Sequence, residues 1–490
     1  MSSMFSSKTP ATYRYSVEIF FRVLGLVYIV AIYSLWSQVH GLMGETGVLP
    51  VSVFLENITT HLGTSAWWKV PTVFWIDSGD AALSLVCYAG MTAGVMMLLG
   101  LVPMASSFTA WLMYLSLTTG GQAFLSFQWD NLLLEAGLLA ILLAPPGWRS
   151  RLSSPANPPR LVVFLLHWLL FRLMFAAGYV KLASHDASWW DLTALTYHFW
   201  TQPLPMWTAW FYHHAPLWFL KTSTALMFFI ELVVPFFIFA GRIPRLIAFV
   251  LFAFLQVMIA GTGNYGFFNM LTVVLCLPLL DDRLLMKSTT ANAEPVSRRT
   301  RIFLAVFRLP VAMVVLLVST ATFALMFKRE WTLPQPIGSV VRAVAPFRSV
   351  NQYGLFAAMT KSRPEIVIEG SYDGREWVAY EFFWKPGDVY RTPVFVAPHM
   401  PRLDWQMWFA ALGSYQGNPW FMNLLVRLLQ GESDVLALLE KNPFGSEPPK
   451  YIRAVLYEYI FSTPEQYDAD YRWWNRELKG LYCPVLERAP

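Results

Sequence analysis

The sequence has little charge, few cysteines and none of the motifs that carry common enzyme chemistry. Only 14% of its residues are charged, and its three cysteines are Cys87, Cys276 and Cys483. So few cysteines exclude a disulfide-dense scaffold. Cys87 and Cys276 lie in apolar runs, where a disulfide is not expected. Its eight histidines lack metal-ligand spacing. Because G-x-S-x-G, H-E-x-x-H, P-loop, Rossmann and C-x-x-C motifs are absent, the sequence argues against a lipase, zinc protease, kinase or thiol oxidoreductase, and we expect no metal and no cofactor.

Apolar residues, by contrast, are abundant. They make up 56% of the 490 residues, and the mean hydropathy is +0.44. This composition is typical of membrane proteins. Since a membrane-crossing helix needs about 20 apolar residues, the apolar runs predict an α-helical multi-pass bundle of about nine spans over residues 1–326. The predicted spans lie near residues 17–36, 81–104, 106–121, 123–145, 161–183, 219–240, 246–263, 265–280 and 302–326.

The distribution of lysine and arginine predicts the orientation of these spans. If the N-terminus is cytoplasmic, nine spans satisfy the positive-inside rule throughout. The basic residues that then fall in the cytoplasm are Lys8, Arg14, Arg149, Arg151, Arg160, Arg242, Arg245, Arg283, Lys287, Arg298, Arg299 and Arg301. The net charge of +5 therefore follows topology and does not indicate nucleic acid. Nine spans place residues 327–490 across the membrane, whereas eight would return them to the cytoplasmic side.

The fourth predicted span opens with polar side chains. On a helix, Gln128, Asn131 and Glu135 share one face, and Asp130 lies beside them. An acid at membrane depth costs about 2.5–3.5 kcal/mol on insertion scales, so it normally faces a bundle interior and has a partner. The segment is therefore expected to point inward. Two interpretations remain open, a structural polar network and a ligand-binding or reactive site.

The fifth predicted span carries two basic residues, Arg172 and Lys181. Each is a candidate to pair with a carboxylate of the fourth span, which would let both segments enter the membrane. We predict at least one such pair. Lys181 has two alternatives, because a desolvated lysine can act as a base and a lysine near a helix end can extend to the membrane surface. If the protein is an enzyme, the catalytic candidates are Lys181, Asp130 and Glu135.

Residues 327–490 predict an α+β domain outside the membrane. Strands are expected at 364–370, 376–383, 394–396 and 451–461, and helices from Asp404, at 419–430 and at 434–441. Asp404 is predicted to cap the first of these helices, and Ser433 or Asp434 the last. In the bundle, loop 184–218 is rich in aromatic residues. It is expected to form either an interfacial belt or a surface that grips a substrate.

Several motifs resemble those of one known family. They are Phe127–Gly137 (F-Q-W-D-x-L-L-L-E-x-G), Tyr197–Pro205 (Y-H-x-x-T-Q-P-L-P), Asn351–Phe356 (N-Q-Y-G-L-F), Pro398–Phe409 (P-H-x-P-R-L-D-W-Q-M-W-F), Asn442–Phe444 and Trp473-Trp474. Together they span nearly the whole chain, and they are similar to the lipase maturation factor proteins. The resemblance implies a multi-pass protein of the endoplasmic reticulum membrane that helps secreted lipases to fold and assemble. In a bacterial host it implies the inner membrane, with the C-terminal domain in the periplasm.

The bundle has a second, more remote resemblance, to the membrane domain of vitamin K-dependent gamma-carboxylase. Gly178–Leu182 (G-Y-V-K-L) is similar to a segment there that holds the catalytic lysine, and Lys181 occupies that position, although Val180 replaces a neighbouring lysine. The alternative function is therefore a carboxylase-like enzyme that acts on a quinone or lipid in a pocket lined by Asp130, Glu135, Arg172 and Lys181.

The leading hypothesis is a folding factor whose partners are the lipid bilayer and a secreted client, with no nucleic acid and an oligomeric state that the sequence does not indicate. Tryptophan and arginine are enriched at binding hot spots, and the Pro398–Phe409 motif holds both. It supplies the candidates for client binding, which are His399, Arg402, Asp404, Trp405 and Trp408. The other interpretation of Trp405 and Trp408, which lie i, i+3, is that they belong to the domain core.

Overall fold

Helices dominate the chain up to Phe327. The computed structural model describes residues 11–285, 298–328 and 330–488. In chain order the helices of this part are α1 (Arg14–Trp36), α2 (Val39–Met43), α3 (Val51–Leu62), α4 (Ala66–Lys69), α5 (Asp80–Leu99), α6 (Pro103–Gly120), α7 (Gln128–Leu143), α8 (Arg160–Ala183), α9 (Ala187–Trp190), α10 (Leu195–Thr201), α11 (Trp207–His213), α12 (Leu217–Phe228), α13 (Arg242–Ala260), α14 (Phe268–Cys276), α15 (Asp282–Leu285) and α16 (Arg298–Phe327). A π-helical turn, Phe229–Val233, and a 3-10 turn, Val234–Phe239, continue α12.

Six helical segments are long and apolar enough to cross a membrane, among the residues that the structure describes. They are Arg14–Trp36, Asp80–Leu99, Arg160–Ala183, Leu217–Phe239, Arg242–Ala260 and Leu304–Phe327. The multi-pass helical bundle is therefore present. The expected number of nine spans is not confirmed, because the third, fourth and eighth predicted spans do not reach this standard.

These three segments are short or polar helices packed among longer ones. Helix α7 has 16 residues, of which 13 are buried. At 1.5 Å per residue it is about 24 Å long, less than the roughly 30 Å of a hydrocarbon core. Helix α6 buries five serine and threonine side chains, and the apolar segment Phe268–Leu279 is shorter still. Neighbouring helices shield these segments from lipid, so their polar groups are tolerated.

Two ends of the bundle can be distinguished by the contacts of α1. At the first end, where α1 begins, the backbone N–H of Arg14 donates to Asp282 (3.0 Å). Arg22, about two helical turns further on, donates to the carbonyl oxygens of Leu98 (3.2 Å) and Ser150 (3.0 Å). At the second end, where α1 stops, Ser34 and Gln38 hydrogen-bond with residues 399–402. The C-terminal region is therefore attached at the second end.

The chain after Phe327 contains six strands and five helices within its described residues. They are α17 (Gln335–Val344), β1 (Pro364–Ser371), β2 (Val378–Ala379), β3 (Glu381–Phe382), α18 (Arg402–Ala411), α19 (Pro419–Gln430), α20 (Ser433–Leu436), β4 (Leu439–Lys441), β5 (Tyr451–Phe461), α21 (Pro464–Asp470) and β6 (Trp474–Glu487). One antiparallel sheet has the order β2-β1-β5-β6, and β3 pairs with β4 in a second. The predicted strands at 364–370 and 451–461 and the predicted helix at 419–430 are confirmed.

Two predicted strands in this region are wrong or incomplete. Residues 376–383 divide into β2 and β3, which belong to different sheets. Residues 394–396 form no strand. The reason is Asn264 of the bundle, whose side chain accepts hydrogen bonds from the N–H groups of Val396 (2.8 Å) and Ala397 (3.1 Å) and donates to the carbonyl oxygen of Val394 (2.8 Å). A side chain thus satisfies backbone groups that a neighbouring strand would otherwise pair.

The predicted helix at 434–441 is also mostly wrong. It is a single turn, α20, followed by β4. Helix α18 begins at Arg402, with Pro401 rather than Asp404 in the capping position. The carboxylate of Asp404 instead accepts the N–H groups of Trp384 and Lys385, both at 2.9 Å. Strand β6 was not predicted, because its charges, Gly480 and Pro484 are unfavourable in most strands and are tolerated at a sheet edge.

Candidate functional site

A buried ion pair joins the bundle to the C-terminal region. The guanidinium of Arg402, in the first turn of α18, donates to both carboxylate oxygens of Asp130, in the first turn of α7, at 2.7 and 2.8 Å. The hydroxyl of Tyr114 donates to the same carboxylate at 2.5 Å. Asp130 and Arg402 are 0% and 1% exposed. Burial lowers the pKa of Arg402, but the adjacent Asp130 outweighs it and raises that pKa above its ordinary value. Arg402 therefore stays charged.

A second buried ion pair lies about one and a half helical turns further along α7. Glu135 pairs with Arg172 of α8, which is the kind of pair that the sequence predicts between these two segments. The other oxygen of Glu135 accepts the hydroxyl of Tyr353 (2.6 Å) and the backbone N–H of Asn351 (3.0 Å). Arg172 in turn donates to the carbonyl oxygen of Asn351 (2.9 Å). The pair thus binds a segment that follows the last bundle helix.

This segment, residues 349–354, lies between helices of the bundle. The carboxamide of Gln128 bonds both backbone groups of Gly354, donating to its oxygen at 2.9 Å and accepting its N–H at 3.1 Å. Asn351 donates to the carbonyl oxygen of Asn131 (3.2 Å), and the indole of Trp111 donates to Ser349 (2.9 Å). The polar face of α7 therefore contacts the N-Q-Y-G motif along its length. In this conformation the polar face of α7 holds the start of the C-terminal region.

The Pro398–Phe409 motif contacts the end of α1 as well as α7. The hydroxyl of Ser34 lies 3.0 Å from Nδ1 of His399 and accepts the N–H of Met400 (2.8 Å). Gln38 accepts the N–H of Arg402 (2.8 Å). Burial lowers the pKa of His399 to about 4, and the charge of Arg402 adds to this effect. Burial also raises the pKa of Asp404 to about 6, against the opposing effect of its two backbone hydrogen bonds.

Both tryptophans of this motif are buried. Trp405 is 3% exposed, and its ring lies edge-on to those of Trp129 (5.0 Å between centroids), Phe127 (5.7 Å) and Tyr265 (5.9 Å). The indole N–H of Trp408 donates to the carbonyl oxygen of Thr201 (2.9 Å). Four of the five candidates for client binding, Arg402, Asp404 and the two tryptophans, are therefore enclosed by this protein, and His399 is partly exposed.

Contrary to the pairing that the sequence predicts, Lys181 does not pair with a carboxylate of the fourth predicted span. Its amine contacts both carboxylate oxygens of Glu231, at 2.7 and 3.0 Å, in the π-helical turn after α12. The ring of Trp189 lies 5.5 Å away. Sequence reasoning missed Glu231, although a carboxylate inside the apolar run 219–240 was a sign of a buried partner. Within the described residues, no group of three or more His, Cys, Asp or Glu side chains is placed to hold a metal ion.

The three catalytic candidates are not brought together. Asp130 pairs with Arg402, Glu135 with Arg172, and Lys181 with Glu231. Of the pocket that the enzyme hypothesis predicts, only Lys181 lines the cavity in this part of the bundle. Of the predicted polar network, Lys181 lies apart with Glu231. The other five residues contact the C-terminal part of the chain, and they are Gln128, Asp130, Asn131, Glu135 and Arg172.

Arg363 is a further buried residue that sequence reasoning missed. It is 0% exposed and donates to the carbonyl oxygens of Trp200 (2.8 Å), Gln202 and Pro203 (2.8 Å). Glu365 lies 2.8 Å from it and 3.0 Å from Lys385. Since the three carbonyl groups belong to the Tyr197–Pro205 motif, Arg363 joins that motif to β1. In the sequence, Lys361, Arg363 and Glu365 are typical of an exposed turn. No local pattern distinguishes the buried Arg363 and Glu365 from the exposed Lys361.

The aromatic loop 184–218 divides between two environments. Trp189, Trp200 and Trp210 are buried, whereas Trp190, Trp207 and Trp218 are exposed. Trp200 and Trp210 share a cluster with Phe461, Trp473 and Trp474 of the C-terminal region. Part of the loop therefore anchors that region, and the exposed part remains suited to an interfacial belt.

Two family models match the chain, one on each side of the interface just described. The description "Lipase maturation factor transmembrane domain" applies to residues 15–287, and "Lipase maturation factor C-terminal domain" applies to residues 349–484. The residues matched include α7, the N-Q-Y-G motif and the Pro398–Phe409 motif. No solved structure matches the chain.

Curated relatives match over nearly the whole chain. The chain is 36% identical to lipase maturation factor 2 of Mus musculus, over 97% of this chain and 84% of the relative. It is 36% identical to lipase maturation factor 2 of Homo sapiens, over 96% and 82%. It is 34% identical to lipase maturation factor 1 of Mus musculus, over 95% and 86%.

Proposed function

Because the chain belongs to the lipase maturation factor family, we propose that it is a membrane-anchored factor that assists the folding and assembly of secreted lipases or other exported proteins. The observation that carries this proposal is the match of both family models to the two parts of one chain. The motifs of these parts meet in buried contacts, so the two parts act as one unit. The ion-paired state of Lys181, Asp130 and Glu135 agrees with a role in binding rather than turnover.

We propose that this unit comprises a bundle over residues 1–326, which crosses the membrane, and an α+β domain over residues 327–490. The N-terminus and the domain lie on opposite sides of the membrane. The end of α16 at Phe327 supports the boundary. We propose, from the family resemblance, that the membrane is that of the endoplasmic reticulum and that the domain lies in the lumen. The equivalent arrangement in a bacterial host is inner membrane and periplasm. A lumenal or periplasmic domain would meet exported clients during their folding.

Nine crossings are our proposal for the bundle, and the contacts at its two ends support an odd number. Helices α7 and α16 approach each other at the first end, where Arg308 donates to the carbonyl oxygen of Ala144. Helices α8 and α16 approach each other at the second end, where the rings of Tyr179 and Phe327 lie 4.7 Å apart. Since α1 starts at the first end and α16 stops at the second, the N-terminus and the domain fall on opposite sides.

Reporter fusions test this topology. A reporter active only in the cytoplasm is expected to function at Thr290, which lies outside the described residues, and at Ser153, in the loop between α7 and α8. It is expected to be inactive at Ser446, before β5. The basic bias of the first-end loops is the physical reason. The same reading at Thr290 and Ser446 would contradict the nine-span arrangement, because α16, which lies between these positions, would then not cross the membrane.

Co-expression with a secreted lipase tests the function. In cells that lack their own family member, the full chain is expected to raise the secreted activity per unit of lipase mass, because correctly assembled lipase is the active form. The measurement is enzyme activity and immunoassay of the medium, with an exported protein other than a lipase as the second client. No increase for either client, with the chain present in the membrane at normal yield, would contradict the proposal.

We propose further that the motif of His399, Arg402, Asp404, Trp405 and Trp408 serves client handling by fixing the position of the domain. This proposal is supported by the contacts of Arg402 with Asp130 and of Trp408 with Thr201. If the side chains bind a client directly, the domain has to separate from the bundle first, which would expose them. Substitutions of Trp405 distinguish the two possibilities.

A further inference from the structure

A cavity of about 220 Å³ lies inside the bundle between α8, α12 and α13. Apolar side chains form most of its wall, among them Leu173, Leu226, Met258 and Phe268. Its volume is below the range of about 300–1,000 Å³ that is typical of pockets for drug-sized ligands. A space of this size and character suits a single apolar chain better than a bulky or charged group.

The cavity opens between two helices that are long enough to cross a membrane. Helix α13 packs against the 3-10 turn Val234–Phe239, and Pro235 and the π-helical turn before it interrupt the regular helix there. Further towards the second end the cavity separates α12 from α13. Leu226 of α12 and Phe254 of α13 line it and are 42% and 45% exposed on the outer surface. In a membrane these side chains face lipid, so a bilayer lipid has direct access.

The wall of the cavity also contains an unused hydrogen-bond acceptor. Gln256 of α13 is 4% exposed, and its Oε1 atom has no hydrogen-bond partner among the described residues. Buried polar atoms are paired in the large majority of cases, because an unpaired one costs about 1–3 kcal/mol. Gln256 lines the cavity, so an occupant with a hydroxyl or amide hydrogen would supply the missing donor.

The charges at the cavity exclude an anionic occupant. Lys181 is neutralised by Glu231, at 2.7 Å, and it is the only lysine or arginine that lines the cavity in the described part of the chain. His198, also in the wall, is neutral, because burial and the nearby Lys181 lower its pKa to about 4. A phosphate would therefore find no free cation at this site, and burial of an unpaired charge is strongly unfavourable.

We propose that this cavity holds an acyl chain of an uncharged bilayer lipid, such as a diacylglycerol, whose hydroxyl donates to Oε1 of Gln256. The proposal rests on the membrane placement given above. The apolar wall accepts the chain, the gap between α12 and α13 admits it from the bilayer, and the carboxamide selects a lipid with a free donor. Nothing is transformed in this site, since the lipid only binds.

Photo-crosslinking of the full protein in vesicles tests the site. The probes are a diacylglycerol and a phosphatidylcholine that carry the same diazirine-bearing acyl chain, and peptide mass spectrometry locates the label. The diacylglycerol probe is expected to label the cavity-facing residues of α12 and α13. Ser223→Trp fills the cavity and is expected to abolish this labelling. The matched control, Ala225→Trp, places the same side chain on the exposed side of α12, outside the cavity lining, and is expected to leave it unchanged.

Gln256→Leu tests the hydrogen bond and is a second variant if Ser223→Trp fails to fold. Loss of one buried hydrogen bond is expected to reduce diacylglycerol labelling about five- to tenfold while leaving phosphatidylcholine labelling unchanged. Equal labelling by both probes, or equal labelling of the Ser223→Trp and Ala225→Trp proteins, would overturn the proposal. Lipase activity is not the readout, so this result and failure of the proposed maturation function are distinguishable.

Discussion

Arg402→Met is expected to destabilise the whole protein by about 3–5 kcal/mol, the usual effect of breaking a buried ion pair on one side. Asp130 would remain buried at 0% exposure with the hydroxyl of Tyr114 as its main remaining partner. Because the pair joins α7 to α18, the loss is expected to loosen the domain from the bundle. The measurement is thermal unfolding of the purified full chain in detergent, together with its yield in the membrane.

The double variant Asp130→Leu with Arg402→Met is the informative companion. It removes both charges, so no unpaired ion remains, and it is expected to be clearly more stable than Arg402→Met alone. Lys450→Met is the matched control, since Lys450 pairs with Glu487 at 3.3 Å but both side chains are more than half exposed. Exposed pairs contribute about 0–1 kcal/mol. If Arg402→Met unfolds at the same temperature as Lys450→Met, the pair does not hold the two parts together.

Trp405→Ala is expected to cost about 3–5 kcal/mol, because it leaves a large cavity at the interface. The ring fills the space between Trp129, Phe127 and Tyr265. Its indole nitrogen has no hydrogen-bond partner among the described residues, so Trp405→Phe keeps much of the aromatic packing and removes no hydrogen bond. Trp405→Phe is therefore expected to lie much closer to the unsubstituted protein. Thermal unfolding of the three proteins in detergent provides the comparison.

The same variants separate a positioning role from direct client binding. Trp190→Ala is the control, since Trp190 is 58% exposed and its loss is expected to change stability little. If Trp405 positions the domain, loss of lipase maturation follows loss of stability, and Trp405→Phe restores both. If the Trp405→Ala protein unfolds at the same temperature as the unsubstituted protein but no longer supports lipase maturation, Trp405 instead binds the client.

The sequence by itself determined the class of the protein and the local character of its main elements. Hydropathy alone indicated a multi-pass bundle, because a run of about 20 apolar residues has few other uses. The spacing of Gln128, Asn131 and Glu135 placed them on one helical face, and the cost of charge in a membrane implied that they point inward. The motifs around Asp130 and Arg402 identified the family, and both family models match the chain.

Only the tertiary structure decided which groups meet. Asp130 and Arg402 are separated by 272 positions, and neither hydropathy nor helical periodicity contains information about partners at that distance. The sequence predicted ion pairs between α7 and α8. This prediction is right for Glu135 and Arg172. It is wrong for Lys181 of α8, whose partner is Glu231. Adjacent helices were the obvious candidates, because short connections place sequence neighbours side by side.

At two places the tertiary structure overrides the strand or helix-capping preference of the local sequence. Residues 394–396 have strand-forming side chains, yet Asn264 of the bundle satisfies their backbone groups. Asp404 has a residue type suited to helix capping, yet its carboxylate binds the backbone of residues 384 and 385. In each case a contact formed in the folded protein replaced the hydrogen bond that the local pattern predicts. Local propensities are weak, about 1 kcal/mol or less per residue, so buried hydrogen bonds and packing formed only in the folded protein determine the outcome.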